Sequence, residues 1–232
     1  MSRVQRARDI CGDAVLVATS GGKDSLVILD LCRVFSRVEA FHMYLVRGLR
    51  CIEGPLEAQC KAHKVPLHFV PHFALAHIYK SGFLCDPVVG AKMRNLSARD
   101  VERALARKTG IHLFAYGDRA SDSFVRRFYT RENDGLRLRA ERSKLYPIWD
   151  WKDGDVYAYM KARKIPNPPR FGSEGARMAG IGIGPRSLRW LHDHHPTDWQ
   201  RLLQVFPYAE VQLTSERQQG KVYEERIWSH AE

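Results

Sequence analysis

Short apolar runs alternate along the first two thirds of the chain with segments whose apolar residues recur every three or four positions. Val15 to Ala18 form a run of strand length, and Leu26, Leu29, Leu31 and Val34 then recur with helical spacing. Further strands are predicted over residues 38–46, 66–70 and 111–116. Further helices are predicted over residues 52–64, 73–81, 97–108, 122–131 and 153–164, with Ser97 as a helix cap and Gly110 as a stop.

Strands separated by helical segments of this length predict right-handed crossovers and a parallel sheet. The expected fold class is therefore α/β, a Rossmann-like parallel sheet with helices on both faces and a small helical C-terminal extension. We expect an α/β domain over residues 1–165, a Gly/Pro-rich loop over 166–184 and the helical extension over 185–232. Because the loop is long and carries Arg170 and Arg177, we expect it to act as a hinge or lid.

The segment between the first strand and the first predicted helix has the composition of an anion-binding loop. Ser20-Gly21-Gly22-Lys23-Asp24-Ser25 joins an apolar run directly to a helical pattern. The glycines let backbone N–H groups approach an anion, and the start of a helix adds partial positive charge. Ser20 and Ser25 offer hydroxyls, and Lys23 offers a point charge. The spacing fits neither the Walker loop nor the dinucleotide Gly-x-Gly-x-x-Gly pattern.

A second candidate site follows the strand predicted over 111–116. Gly117 permits close backbone approach, and the Arg119 guanidinium can donate two parallel hydrogen bonds to an oxyanion. Ser123 can cap the next helix. Both segments follow parallel strands directly, so they are expected at the ligand-binding edge of the sheet. The aromatic segment 146–157 is interpreted as structural, with Asp153 as a helix cap. Weaker candidates for the site are Thr19, Val46, Arg47, Arg126 and Arg127.

Charge and hydropathy narrow the class of partner. The 232 residues carry a net charge of +11, which suits either a phosphorylated nucleotide or nucleic acid. No apolar run approaches the ~20 residues of a membrane span, so no membrane partner is expected. The basic N-terminus lacks an apolar signal region, and a cytoplasmic location is expected.

The spacing of the cysteines and histidines predicts no metal centre built from these residues. The five cysteines form no Cys-x-x-Cys pair, so we expect neither an iron–sulfur cluster nor structural zinc. Cys51 and Cys85 lie in loop-like segments and are the candidates for a reactive thiol. His192, His194 and His195 are interpreted as a polar helix end.

Three segments in one order resemble the phosphoadenosine phosphosulfate (PAPS) reductase family of the PP-loop adenine nucleotide α-hydrolase-like superfamily. They are the Ser-Gly-Gly-Lys-Asp-Ser loop, the turn at 117–123, and Pro147 to Val156 followed by Ile165-Pro166. The resemblance implies a nucleotide-binding first domain. It also implies that Ser20, Gly21, Gly22, Lys23, Asp24 and Ser25 bind the phosphate or sulfate end of an adenine nucleotide, with Gly117, Arg119 and Ser123 close by.

The chain also departs from that family. The family's catalytic cysteine lies on a C-terminal segment, whereas no cysteine follows residue 85 here. The family's Asp-Thr-Gly after the second strand is replaced by Val46-Arg47-Gly48. The resemblance therefore implies a retained binding fold without the family's thiol chemistry.

The sequence is compatible with several functions. The first is a PAPS reductase-like protein that binds PAPS or ATP, with or without Mg²⁺, in sulfur or nucleotide chemistry. The second is an ATP pyrophosphatase that modifies nucleic acid by thiolation or phosphorothioation, and the third is a non-catalytic nucleotide-binding module. The sequence leaves open whether the chain is an enzyme, which residues are catalytic, and its oligomeric state.

Overall fold

The computed structural model describes residues 2–168 and 183–214 of the chain, apart from the side chain of residue 186. These residues fall into two compact units. The first unit holds residues 2–44, 54–73 and 96–168, and the second holds 45–53, 74–95 and 183–214. Most of the predicted hinge or lid at 166–184 lies outside the described residues, and the predicted division at 165 and 184 stays a prediction.

A six-stranded sheet forms the centre of the first unit, in the order β3-β2-β1-β4-β6-β5. Its strands are β1 (Ala14–Ala18), β2 (Arg37–Tyr44), β3 (Leu67–Pro71), β4 (Leu113–Ala115), β5 (Leu136–Arg137) and β6 (Ser143–Leu145). The pairings β1–β2, β2–β3, β1–β4 and β4–β6 are parallel, and only β5 runs antiparallel to its neighbour β6. The predicted α/β fold class is confirmed.

Ten α-helices and a 3-10 helix at Cys32–Val34 accompany these strands in the described residues, and residues 209–214 are also helical. The ten α-helices have the following bounds. They are α1 (Arg3–Cys11), α2 (Lys23–Leu31), α3 (Arg50–Ala62), α4 (Leu75–Lys80), α5 (Pro87–Gly90), α6 (Ala98–Thr109), α7 (Phe124–Thr130), α8 (Asp153–Ala162), α9 (Pro185–His194) and α10 (Pro196–Val205). None of these helices has both the length and the apolar content needed to cross a membrane.

Alternation along β1 places hydrophobic cores on both faces of the sheet. Val15 and Val17 are buried in a cluster with residues of α1, α2 and α8, whereas Leu16 is buried in a cluster with residues of α6. Successive side chains of a strand point to opposite faces, so helices cover the two faces as predicted.

The predicted boundary of α6 is confirmed in detail. The Ser97 hydroxyl accepts from the backbone N–H of Asp100, while the Asp100 carboxylate accepts from the Ser97 N–H in return. Gly110 ends the helix in the left-handed conformation with a φ of 72°. Capping boxes and C-terminal glycines satisfy polar groups that a helix leaves unpaired at its ends.

The second unit has its own apolar core. Leu188, Leu191, Leu202 and Phe206 are fully buried there, together with Trp199. Pro185 and Pro196 occupy the first turns of α9 and α10, as expected for residues without a backbone N–H. Helices α9 and α10 lie within the region 185–232 for which a helical extension was predicted.

Candidate functional site

The loop between β1 and α2 has the strand–turn–helix form that the sequence predicted. Gly21 has a φ of +77°, a conformation that favours glycine. Gly22 is the N-cap of α2 and receives no side-chain capping bond from the described residues. The first backbone N–H groups of α2 are therefore not capped by a side chain, as at an anion-binding helix start.

Serine hydroxyls brace this loop from within. Ser25 is buried and its hydroxyl donates to the Gly22 carbonyl at 2.8 Å, while the Ser20 hydroxyl oxygen lies 3.4 Å from the Gly22 nitrogen. Thr19 is buried as well, and its hydroxyl has no hydrogen-bond partner in the described part of the chain. Buried polar groups usually have a hydrogen-bond partner, so the Thr19 hydroxyl can form a hydrogen bond to a ligand at this loop.

Two buried cations meet at one carboxylate oxygen. Lys23 Nζ lies 2.9 Å from Asp153 Oδ1, and Arg119 Nη2 lies 3.0 Å from the same atom. The side chains of Lys23 and Arg119 are 8% and 7% exposed, whereas that of Asp153 is 58% exposed. Asp153 is therefore the accessible member of the group, and the binding of a ligand anion at this position stays a prediction.

Lys23 and Arg119 stabilise the ionised form of Asp153. The hydrogen bond from Lys23, together with the charges of Lys23 and Arg119, lowers the pKa of Asp153 from its ordinary value of 3.8. The carboxylate is consequently charged throughout the neutral range. The interpretation of segment 146–157 as purely structural missed this residue, and Lys152 rather than Asp153 is the N-cap of α8.

The turn after β4 is fixed against the loop by close backbone approach. A Cβ atom on Gly117 would lie 3.1 Å from Asp24 Cβ and 3.3 Å from the Asp24 carbonyl carbon, so the absence of a side chain lets this turn approach α2. Arg119 Nη2 also lies 2.9 Å from Asp122 Oδ1, and Arg119 Nε lies 3.3 Å from Asp24 Oδ1. The Nη1 atom of Arg119 is buried without a hydrogen-bond partner among the described residues. The guanidinium therefore retains donor capacity for a ligand.

The remaining predicted residues have other contacts. The Ser123 hydroxyl accepts from the Arg126 N–H and caps α7, while Arg126 pairs with Asp118 and Asp122. Arg127 is exposed. Val46 is buried in the core of the second unit, and Arg47 pairs there with Glu53. The proximity of Val46 and Arg47 to a ligand stays a prediction.

An aromatic cavity of about 450 Å³ lies beside the same turn. Asp118, next to Arg119 in the chain, lines it together with Phe41, Phe73, Tyr116, Tyr129 and Tyr146. The Tyr129 hydroxyl donates to Asp118 Oδ2 at 3.1 Å, and burial together with Asp118 raises the pKa of Tyr129 to about 12. The volume is of the size that small-molecule sites have in proteins.

A buried carboxylate closes one wall of this cavity. Glu102 is only 2% exposed. The Tyr116 hydroxyl donates a hydrogen bond to Glu102 Oε1 at 2.6 Å, and Arg142 Nε lies 2.7 Å from Glu102 Oε2. Lys144 also pairs with Glu102 and lies 5.1 Å from the centroid of the Tyr116 ring. Because cations surround Glu102, the wall offers aromatic faces and paired charges rather than a free charge.

The thiols do not match the expectation for reactive cysteines. Cys51 lies in α3 and Cys85 is also buried, so neither is an exposed loop residue. Burial and the Asp198 carboxylate raise the pKa of Cys51, and burial raises that of Cys85. A reactive thiol requires a lowered pKa and access, and both residues lack these properties.

No family model and no curated protein matches this sequence. The fold is similar to a PAPS reductase from Candida auris in a phosphate complex, with 18% identity, a TM-score of 0.48, and coverage of 72% of this chain and 82% of that one. It is similar to the U34-tRNA thiolase NcsA from Methanococcus maripaludis with its [4Fe-4S] cluster, with 14% identity, a TM-score of 0.47, and coverage of 90% and 77%. The NH3-dependent NAD synthetase from Campylobacter jejuni subsp. jejuni NCTC 11168, in complex with nitrate, has 15% identity, a TM-score of 0.48, and coverage of 70% and 69%.

These similarities concern the fold, and the functions named belong to those proteins. All three belong to the PP-loop adenine nucleotide α-hydrolase-like superfamily that the sequence motifs resemble. One expectation is nevertheless wrong, because this chain holds a group of possible metal ligands where the exclusion of an iron–sulfur cluster assumed none. The tRNA thiolase carries such a cluster. Here, ligand atoms of Cys51, His195 and Asp198 all lie within 4.8 Å of one another.

Proposed function

We propose that this chain binds an adenine nucleotide, PAPS or ATP, with its phosphate or sulfate end at the loop 20–25. The proposal rests on one observation: Lys23 and Arg119 approach the same oxygen of Asp153, at 2.9 Å and 3.0 Å. The Asp153 carboxylate occupies the position of a ligand oxyanion, and a phosphate or sulfate oxygen can replace it with the same charge-assisted contacts.

Two further features support an anion at this position. The start of α2 has no side-chain cap from the described residues, so its backbone N–H groups can donate to phosphate oxygens. Arg119 Nη1 is buried without a hydrogen-bond partner in the same part of the chain, and a second ligand oxygen would supply one. Displacement of the exposed Asp153 side chain leaves both cations facing the ligand.

The aromatic cavity beside Asp118 is assigned to a planar ring of the substrate. Its rings offer stacking faces, and among its lining residues Asp118 pairs with Arg126 and Glu102 pairs with Lys144. Since Asp118 and Arg119 are consecutive, one turn contacts both the anionic end and the ring. A nucleotide combines these two chemical parts in one molecule.

The chemistry that these residues support is charge stabilisation rather than thiol attack. With ATP, an acceptor would attack the α-phosphorus, pyrophosphate would leave, and Lys23 and Arg119 would stabilise the negative charge of the transferring group. Asp24 and Asp153 provide carboxylate oxygens of the type that bind Mg²⁺, which would accompany ATP. The reaction class is therefore adenylyl transfer in sulfur or nucleotide chemistry.

A nucleic acid is the second candidate for the acceptor. The net charge of +11 favours a polyanionic partner, and neutralised phosphates would make its binding depend on salt. A tRNA or DNA acceptor would make the chain an ATP pyrophosphatase of nucleic-acid modification. Retention on RNA and on DNA columns over a salt gradient separates this candidate from a small-molecule acceptor.

Calorimetry with ATP, PAPS and adenosine 3′,5′-bisphosphate tests the proposal. We expect saturable binding of at least one of them, competed by inorganic pyrophosphate or sulfate. Pyrophosphate-release and sulfite-release assays then distinguish an enzyme from a binding module. Absence of binding by all three nucleotides would contradict the proposal.

A further inference from the structure

Three side chains with different ligand atoms meet in the second unit. The Cys51 sulfur, a ring nitrogen of His195 and a carboxylate oxygen of Asp198 lie within 4.8 Å of one another. Cys51 is 9% exposed and Asp198 is 4% exposed. A buried thiol, imidazole and carboxylate in one place form a set of metal-ligand types rather than a solvated acidic surface.

The starts of two helices place these groups together. Cys51 lies in the first turn of α3. His195 is the N-cap of α10, and Asp198 lies in the first turn of that helix, three positions further on. Residues three apart in a helix share a face, so the imidazole and the carboxylate can contact one ion. The Trp190 ring, 4.5 Å from that of His195, packs against the imidazole.

Helix capping explains only part of this arrangement. Asp198 Oδ1 accepts from the Arg50 N–H at 2.9 Å, and Oδ2 accepts from the Cys51 N–H at 2.7 Å, so Asp198 caps α3. Capping does not require a thiol and an imidazole beside the carboxylate. The Cys51 thiol also hydrogen-bonds to Asp198, and replacement of its proton by a metal would free that lone pair, while the two backbone bonds orient the carboxylate as outer hydrogen bonds orient metal ligands.

We propose that Cys51, His195 and Asp198 bind one zinc(II) ion, with the fourth tetrahedral position open to water or another ligand. Zinc accepts sulfur, nitrogen and oxygen ligands in one tetrahedral site. Its bond lengths of about 2.0–2.3 Å place ligand atoms about 3–4 Å apart, so the three groups need to close by about 1–2 Å at most. The ion would join the start of α3 to the start of α10, and its binding would raise the thermal midpoint of unfolding.

Cobalt(II) substitution tests the site directly. The full-length protein is stripped of metal with a chelator, kept reduced with a phosphine, and titrated with Co²⁺. We expect an absorption band from sulfur-to-cobalt charge transfer and intense tetrahedral ligand-field bands, which one equivalent of Zn²⁺ abolishes. A protein without these bands would overturn the proposal.

Matched variants identify the ligands. Cys51→Ser should remove the charge-transfer band and His195→Gln should weaken Co²⁺ binding at least tenfold, whereas Cys85→Ser and His192→Gln should leave both unchanged. Asp198 is left intact because it caps α3. If a variant unfolds, X-ray absorption of the zinc-loaded wild type identifies the atoms bound to zinc. The proposal requires one sulfur and two or three nitrogen or oxygen atoms around the ion. A sulfur-free shell, or a band that survives in folded Cys51→Ser, would overturn it.

Discussion

Lys23 Nζ lies 2.9 Å from Asp153 Oδ1, and this pair joins the loop at the start of α2 to the first residue of α8. Lys23 is buried and Asp153 is largely exposed. The pair has two roles in our account. It stabilises a buried lysine, and it holds the position that a ligand oxyanion takes when the nucleotide binds.

Asp153→Asn should tighten the binding of a magnesium-free anionic ligand, because the ionised carboxylate competes with it for Lys23 and Arg119. We expect the dissociation constant to fall about three- to tenfold, or ~0.7–1.4 kcal/mol. Because the pKa of Asp153 is lowered from 3.8, its carboxyl stays ionised between pH 5.5 and 8. The gain in affinity of Asp153→Asn over wild type should therefore be constant over this range. Calorimetry in the presence of EDTA measures the dissociation constants of wild type and variant. The control is Glu141→Gln, which removes a negative charge that pairs with Arg103. Weaker binding by Asp153→Asn would contradict the competition.

Arg119→Lys should weaken binding although it keeps the positive charge. The fork of the guanidinium contacts Asp24, Asp122 and Asp153, and a lysine cannot reproduce that geometry. We expect at least a roughly tenfold loss of affinity, as charge-assisted hydrogen bonds contribute about 1.5–3 kcal/mol. Arg127→Lys, at an exposed position of α7, should bind like wild type. Equal affinities for the two variants would show that Arg119 does not contact the ligand.

The sequence was sufficient to predict the parts of the site that depend on local chemistry. The strand–turn–helix around Gly21 and Gly22, and the cap of α6 at Ser97, depend on residues close together in the chain. The parallel direction of neighbouring strands was also predicted from the alternation of strands and helices.

The parts that depend on distant contacts could not be predicted. Strands β5 and β6 have only two and three residues, so the pairing of β6 with β4 and of β5 with β6, rather than propensity, makes them strands. Asp153 had a local explanation as a helix cap, and only the fold brings it to Lys23 and Arg119. The sequence placed His195 with its neighbouring histidines, whereas the fold brings its ring within 4.8 Å of ligand atoms of Asp198 and the distant Cys51.

Asp30→Asn should destabilise the fold in a pH-dependent manner. Burial alone would raise the pKa of Asp30, but hydrogen bonds from Arg163 and Tyr159 outweigh it and lower the pKa from 3.8. A carboxylate with a lowered pKa contributes stability above its unfolded pKa and loses it as the pH falls through the folded pKa. We expect a loss of about 1–3 kcal/mol at pH 7.

Urea unfolding of wild type and Asp30→Asn at pH 7, 5, 4 and 3 measures that difference. It should be constant at pH 7 and 5 and shrink below pH 4. Because Asp30 and its partners join α2 to α8, the variant should also alter the position of Lys23 relative to Asp153. A difference that stays the same down to pH 3 would rule out ionised Asp30 as its source.

The chain alone should not release sulfite from PAPS with reduced thioredoxin. That reaction in the PAPS reductase family uses a thiolate, and burial raises the pKa of Cys32 to about 12 and that of Cys60 to about 11. Burial also raises the pKa of the other three thiols. Sulfite release by wild type that disappears in Cys51→Ser or Cys85→Ser would contradict this prediction and identify the nucleophile.

Nucleotide binding by Gly22→Val tests the central claim most directly. Gly22 is an extended N-cap with φ −78° and ψ 165°, so valine fits the backbone but its side chain blocks the approach of phosphate to the N–H groups of α2. Gly54 is the control, a glycine inside α3 at which no described residue outside its own helix comes within 4 Å of the Cβ position. Calorimetry with the nucleotide that wild type binds should show no binding by folded Gly22→Val and unchanged affinity in Gly54→Val. Unchanged affinity in Gly22→Val would contradict the account.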